Sequence, residues 1–332
     1  MIPLIIIGLG RIGAGNVGLA GDLPLSHLSA ALASGDFSIH GLVDPDATIR
    51  QALLNQYSQI DPACVVASLD EVPPVDQPMI VIATPPDSRL ATAEQALALQ
   101  PKLLVLEKPL ALDFQTGQQL IDLSREAGVT LRVNYNRRFD RRHDSWRKAA
   151  PKVPRIVVTR YGKGLHNYAS HMVDLLLHWY GPVAGVRAFS AGNSYHADPN
   201  LSFCCHMSAD FDAIFLGIEE LQYDQFEIDI FGEDERVELA DGGVEIRHYR
   251  PQLDKHYTGY TQLKLDNYID RAPVGGFAEL YEAARKYCLD GKDMTGCDGL
   301  QALMNLAVLE AATRSFANGG TCETPTLSQC TN

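Results

Sequence analysis

The distribution of apolar and polar positions changes texture near residue 150. Before that point, short and nearly unbroken apolar runs recur: Ile2–Ile7, Phe37–Val43, Val65–Ala67, Met79–Ala83, Leu103–Leu106 and Thr130–Val133. Ser88–Leu99 and Asp113–Ala127, lying between the later runs, carry apolar residues at helical spacing. Runs with no polar face belong to strands covered on both sides, so this half predicts a parallel, doubly wound sheet. After Pro151 and Pro154 the runs alternate and lie closer together: Ile156–Tyr161, Val183–Ser190, Ser202–Asp210, Ala213–Glu219, Phe226–Gly232 and Val237–Tyr249. Turns such as Asp241-Gly242-Gly243 join several of them. A helix over Ser170–Trp179 interrupts this series, and helices over Gly276–Cys288 and Leu300–Ala317 close it. The pattern predicts an α/β protein of two domains, 1–140 with the parallel sheet and 141–332 as an α+β domain on a large, mostly antiparallel sheet. The tail from Asn318, rich in Gly, Thr and Ser, predicts loose order.

The first apolar run ends on Gly8, Gly10 and Gly13, spaced G-x-G-x-x-G. In a strand–turn–helix setting Gly8 permits the tight turn, Gly10 lets backbone approach a pyrophosphate, and Gly13 lets the next helix pack closely. The loop Gly8-Leu9-Gly10-Arg11-Ile12-Gly13 is therefore the first candidate dinucleotide contact, with a helix N-terminus facing the phosphates. The acidic partner expected for the ribose is Asp44, at the end of the second run. It stands 31 residues after Gly13, so the crossover carries an insertion, assigned to Asn16–Ser26, where Gly18, Gly21 and Pro24 interrupt helical continuity. A carboxylate there repels a 2′-phosphate, which favours NAD over NADP. A turn residue before Pro45 is the plainer alternative for Asp44.

Composition narrows the classes. The 332 residues carry a formal net charge of −13, with a pI near 5.2, which argues against binding nucleic acid non-specifically. No apolar run approaches the roughly 18 residues of a membrane helix. The N-terminal run lacks a basic leader, and no signal peptide is expected. Seven cysteines without a C-x-x-C pair form neither a zinc nor a disulfide framework, and reduced thiols in the cytoplasm are the expected state.

Chemistry concentrates where strands end. Glu107-Lys108-Pro109-Leu110-Ala111 follows a buried run, which puts Lys108 at the ligand edge of the sheet. An ammonium there can bind a substrate hydroxyl and stabilise the alkoxide that forms as hydride leaves. X-Pro bonds in such turns are sometimes cis. Ala83-Thr84-Pro85-Pro86-Asp87 is placed to run beside a cofactor, and Asn134-Tyr135-Asn136-Arg137-Arg138-Phe139 to reach nicotinamide or substrate. In Gly164–Trp179, Asn167, His171 and Asp174 share one face if the segment is helical, and His166 stands close by. An imidazole titrating near neutrality is a natural proton acceptor for alcohol oxidation. A structural histidine is the alternative. A zinc site including His178 has no supporting cysteine or H-E-x-x-H pattern, and no metal is expected.

The order GLGRIG, an acid after the second strand, ATPP, EKPLA, NYNRRF and G-x-H-N-x-x-S-H-x-x-D resembles the glucose–fructose oxidoreductase and inositol dehydrogenase (Gfo/Idh/MocA) family. The resemblance runs from residue 5 to about 181 and is loosest beyond that. It implies an N-terminal Rossmann domain and a C-terminal domain whose open sheet forms a homodimer or homotetramer. It also implies NAD(P)-dependent oxidoreduction at a carbinol or ketone carbon of a sugar, nucleotide sugar or cyclitol. Lys108 then matches the substrate-activating lysine and His171 the catalytic histidine. Gly8, Leu9, Gly10, Arg11, Ile12, Gly13, Asp44, Ala83, Thr84, Pro85, Glu107, Lys108 and Asn136 fall on the cofactor, and Lys108, Arg138, His166, Asn167 and His171 on the substrate. Two departures stand out. Asn167 replaces the family's aspartate four residues before the histidine, and Pro85-Pro86-Asp87-Ser88-Arg89 replaces the usual P-N-x-x-H loop. A reductase of a non-sugar cyclic substrate and an inactive NAD-binding sensor remain the alternatives.

Overall fold

The computed structural model describes residues 1–15, 23–191, 198–269 and 276–326. In chain order it contains β1 (Ile2–Ile7), α1 (His27–Ser34), β2 (Phe37–Val43), α2 (Ala47–Gln56), β3 (Val65–Val66), β4 (Met79–Ile82), α3 (Arg89–Ala98), β5 (Leu103–Glu107), α4 (Phe114–Glu126), β6 (Thr130–Asn134) and α5 (Arg141–Ala149). There follow β7 (Ile156–Tyr161), α6 (Ser170–Tyr180), β8 (Val183–Ala191), β9 (Leu201–Met207), β10 (Phe211–Gly217), β11 (Phe226–Phe231), β12 (Arg236–Ala240), β13 (Glu245–Leu253), β14 (Thr261–Ile269), α7 (Phe277–Asp290), β15 (Cys297–Asp298) and α8 (Gly299–Ala317). The chain divides into two units, Met1–Phe139 with Gly275–Leu303, and Asp140–Val274 with Met304–Asn332.

The first unit has one sheet in the order β15-β6-β5-β4-β1-β2-β3. Strands β1 to β6 run parallel, and β15 joins β6 antiparallel. The order reverses between β1 and β4, which opens a crevice at the carboxyl ends of the strands. Residues 275–303 lie in this unit, whereas the sequence boundary assigned everything after 140 to the second domain. The apolar face of α7 is the reason: Phe277, Leu280, Tyr281 and Ala284 are buried in one core with Leu4, Leu28, Ala31 and Phe37. Each leucine or phenylalanine among them contributes about 1.5–3 kcal/mol by leaving water.

The second unit has an eight-stranded sheet, β14-β13-β12-β11-β7-β10-β9-β8, antiparallel except for the β7–β10 pair. Its core side carries Val157, Tyr161, Phe203, Phe215, Ile228 and Leu239 against Met172, Leu175 and Leu176 of α6 and Val308 and Leu309 of α8. On the opposite side Arg160 pairs with Glu227 and Asp229, Arg236 with Asp229 and Glu238, and Arg247 with Glu238. The run Val237–Tyr249 resolves into β12 and β13 around the turn Asp241–Gly243.

Three elements carried no readable pattern. Helix α2 buries only Leu53 fully, with Ile49 and Leu54 packed partly buried against the same core, a short stripe that the Asp46 cap supplements. Helix α5 is similarly polar and is capped by Asp140, whose carboxylate accepts from the Arg142 N–H. Strand β14 exposes Leu263 and Leu265 and exists through its ladder with β13. The described part of the tail, 318–326, departs from the expected loose order, since Glu323 exchanges both backbone hydrogen bonds with Val186 at 2.8 Å each; the rest of the tail lies outside the described residues.

Candidate active site

The glycine loop is shaped by close backbone approach. Gly8 has φ +90°, and a Cβ on it would lie 2.8 Å from the Ala83 carbonyl carbon and 2.9 Å from the Thr84 nitrogen. A Cβ on Gly13 would overlap the Gly8 carbonyl oxygen, whereas one on Gly10 would enter open space. The three glycines thus serve turn, packing and ligand approach respectively. The helix expected after Gly13 falls mostly on residues outside those described. Arg11–Gly15 form a single π-turn in which the Ala14 and Gly15 N–H groups both donate to the Gly10 carbonyl at 3.0 Å. Among the described residues, the next helix is α1, from His27, with Ser26 as its cap. Most of the insertion placed at Asn16–Ser26 lies outside the described residues. Gly13→Ala is expected to destabilise the protein by about 1–3 kcal/mol, because a backbone carbonyl cannot rotate away. A denaturant midpoint equal to that of the wild type would refute the close packing.

Around this loop lies a pocket of about 600 Å³ lined by Gly8, Gly10, Arg11, Ile12, Asp44, Ala83, Thr84, Pro85, Glu107 and Lys108 among others. The ends of β1, β2, β4 and β5 therefore meet in one crevice. Asp44 is 7% exposed; its Oδ2 accepts from the Leu9 N–H at 2.9 Å and its Oδ1 from the Asp46 N–H at 2.9 Å. The carboxylate is thus locked against the glycine loop. Thr84 Oγ1 is buried with no hydrogen-bond partner among the described residues, leaving a polar atom for a ligand. The Lys108–Pro109 peptide is cis.

Arg89 is the residue that motif comparison left without a role. It is buried at the start of α3, and its guanidinium donates to the carbonyls of Thr84 at 2.8 Å, Pro109 and Leu110. Burial pushes its pKa down to about 10, with Glu107 opposing, so it stays charged at neutral pH. It staples the loop after β4 to the loop carrying Lys108. The signal was in the sequence, as an arginine where the family places histidine.

Asn136 and Arg138 sit in the 3-10 turn Asn136–Phe139 after β6, and neither lines the pocket. Arg138 is buried and donates to Gln301 Oε1 at 2.8 Å.

In the second unit, His171 is the second residue of α6 and is half-buried. Asn167 and His166 lie before it in the π-turn Leu165–Ala169, so the regular helical face drawn through Asn167, His171 and Asp174 starts only at Ser170. Asp198 accounts for the wider turn. Its carboxylate accepts from the His166 N–H at 2.8 Å and the Asn167 N–H at 3.0 Å, while Asn200 Oδ1 accepts from the Gly164 N–H at 2.7 Å. Asn305 holds the helix start, donating to the Ser170 carbonyl at 2.7 Å. Asn167 is exposed, and His166 Nδ1 is buried without a hydrogen-bond partner among the described residues.

Comparison with known proteins adds three findings. Residues 4–135 match the family described as oxidoreductase family, NAD-binding Rossmann fold (GFO_IDH_MocA). An inositol 2-dehydrogenase of Rhizobium meliloti (strain 1021) is 24% identical over 343 residues, covering 94% of this chain and 97% of that protein. Two solved structures share the fold across nearly their full length. The WlbA dehydrogenase of Bordetella pertussis, in complex with NADH and UDP-GlcNAcA, has a TM-score of 0.75 at 21% identity over 97% of each chain. The super-repressor mutant of Gal80p from Saccharomyces cerevisiae has a TM-score of 0.76 at 15% identity over 100% of each.

Proposed function

We propose that this chain, whose residues 4–135 match a family of NAD-binding Rossmann-fold oxidoreductases, transfers hydride between NAD(H) and a carbinol or ketone carbon of a polyhydroxylated substrate, a sugar, nucleotide sugar or cyclitol. The observation that carries this reading is the convergence of Gly10, Asp44, Thr84 and Lys108 on one pocket at the strand ends. These residues fit a dinucleotide: open space above Gly10 for a pyrophosphate, an anchored carboxylate for a ribose, and an orphaned Thr84 hydroxyl. When bound, the nicotinamide supplies or accepts the hydride.

The chain's own residues do the rest. Asp44 accepts hydrogen bonds from the adenosine ribose. Lys108 donates to the substrate oxygen and stabilises the negative charge that grows on it during oxidation. His171 takes the hydroxyl proton on an imidazole nitrogen and returns it in reduction. His166, Asn167 and Arg138 are assigned to substrate by their match to the family pattern, and Asn136 to the cofactor. Assembly as a homodimer or homotetramer through the eight-stranded sheet belongs to the same reading and rests on the family pattern. Nicotinamide absorbance followed across a panel of sugars, nucleotide sugars and cyclitols tests the reading. Dinucleotide binding with no turnover on any of them would favour a sensor.

Cofactor choice follows from Asp44. NAD(H) is expected to bind at least about tenfold tighter than NADP(H), roughly 1.4 kcal/mol, because the fixed carboxylate repels a 2′-phosphate. Fluorescence titration with both dinucleotides checks this, and equal affinities would remove Asp44 from the ribose.

A further inference from the structure

Behind the pocket wall lies a buried polar chain in which no motif marks His27 or Tyr281. Glu107, the last residue of β5, lines the pocket. Its Oε1 meets His27 Nε2 at 2.9 Å and the Asn134 amide Nδ2 at 2.6 Å. His27, fully buried at the start of α1, has its Nδ1 3.3 Å from the Tyr281 hydroxyl of α7. Its ring packs edge-on to Phe277 at 5.1 Å. Three elements, α1, β5 and β6, thus meet at one carboxylate and α7 backs the histidine, all within the first unit.

The connectivity assigns the protons. A carboxylate only accepts, so His27 Nε2 carries a proton toward Glu107, while Tyr281, raised well above the ordinary tyrosine range by burial and by the Glu107 charge, keeps its hydroxyl proton beside Nδ1. Burial alone would push the Glu107 carboxyl up, but His27, Asn134 and Lys108 together outweigh it and hold it below the usual carboxylate range. Arg89 of α3 adds a further buried positive charge that interacts with Glu107. Among the described residues, both hydrogen bonds to Glu107 fall on Oε1, and Glu107 itself lines the pocket.

We propose that His27 is a positioning residue for the cofactor site: its Nε2–H holds Glu107 as a carboxylate beside Lys108, with one oxygen presented to a ribose hydroxyl of the bound dinucleotide. The inference rests on the dinucleotide-binding reading above. Without the His27 donor, burial acts on Glu107 unopposed by its principal partner, and the carboxyl protonates as pH falls toward the weakly acidic range. A raised carboxyl pKa weakens binding at low pH and leaves it least affected at high pH.

The test is NAD+ affinity, read by fluorescence quenching against pH, with each variant compared with the wild type. His27→Phe suits the aromatic surroundings, and its Kd relative to wild type is expected to rise about tenfold between about pH 8 and pH 5.5. Glu107→Gln is expected to bind more weakly at every pH, with no added slope. His27→Gln, which keeps a donor, should restore most of the loss. Tyr281→Phe, nearly isosteric, should show the same slope more weakly, and it decides the matter if His27→Phe does not fold. A folded His27→Phe with wild-type affinity and slope overturns the inference, as does an unchanged Tyr281→Phe where His27→Phe is unfolded. Failure of the wild type to bind either dinucleotide sinks the underlying reading instead.

Discussion

Replacing His171 by alanine is expected to lower turnover by about 10²–10⁴-fold, the usual contribution of a general acid–base group, while NAD(H) still binds. Its place supports the assignment. Neighbouring α6 residues Met172, Val173, Leu175 and Leu176 are core, whereas His171 is half-buried at the helix start. The turn before it is pinned by Asp198 and Asn200. Asn167 bears on the same step, because it replaces the aspartate of the family pattern in that turn. Asn167→Asp adds a carboxylate that favours the charged imidazole and raises its pKa. Oxidation needs the neutral base, so the acid limb of the oxidative pH–rate profile is expected to move to higher pH. Because Asn167 is exposed, solvent screens the added charge and the displacement should shrink in high salt. An active His171→Ala enzyme, with an unmoved profile in Asn167→Asp, would return the helix to a structural role.

Lys108→Ala is expected to cut turnover by on the order of a hundredfold or more with the cofactor still bound, since the lost interaction strengthens as charge builds on the substrate oxygen. The surroundings of Lys108 are built to hold its place. Glu107 precedes it with an anchored carboxylate, and Arg89 ties the Pro109 and Leu110 carbonyls that follow to Thr84 across the pocket. Near-normal turnover in Lys108→Ala, measured with saturating cofactor, would remove the residue from the chemistry. A loss confined to KM would mean that it binds substrate without stabilising the charge that develops.

Local pattern was sufficient for much of this protein because strands and tight turns are short-range objects. Unbroken apolar runs marked β1, β2, β4, β5 and β6 to within a residue or so, and Gly8, Gly10 and Gly13 marked the loop, because each of those constraints acts over a few residues. Strand ends then located Asp44, Thr84 and Lys108, since a parallel sheet binds ligands beyond its carboxyl edge. Elements with a short apolar stripe or a neighbouring strand for support left no such trace: α2 packs Ile49, Leu53 and Leu54 and is capped by Asp46, and β14 rests on its ladder with β13.

Tertiary structure alone decided which distant segments share a core. Helix α7 follows the whole second-unit sheet in sequence, yet Phe277 and Tyr281 pack beside His27 and Phe37. A helical stripe states that a face is apolar and carries no address for the face it will meet. The same holds for buried polar pairs. His27 and Glu107 are 80 residues apart, and Asp198 lies 31 and 32 residues from the N–H groups it caps. Such partnerships arise only when the backbone brings desolvated donors and acceptors together, because an unpaired buried polar group is costly wherever it stands in sequence.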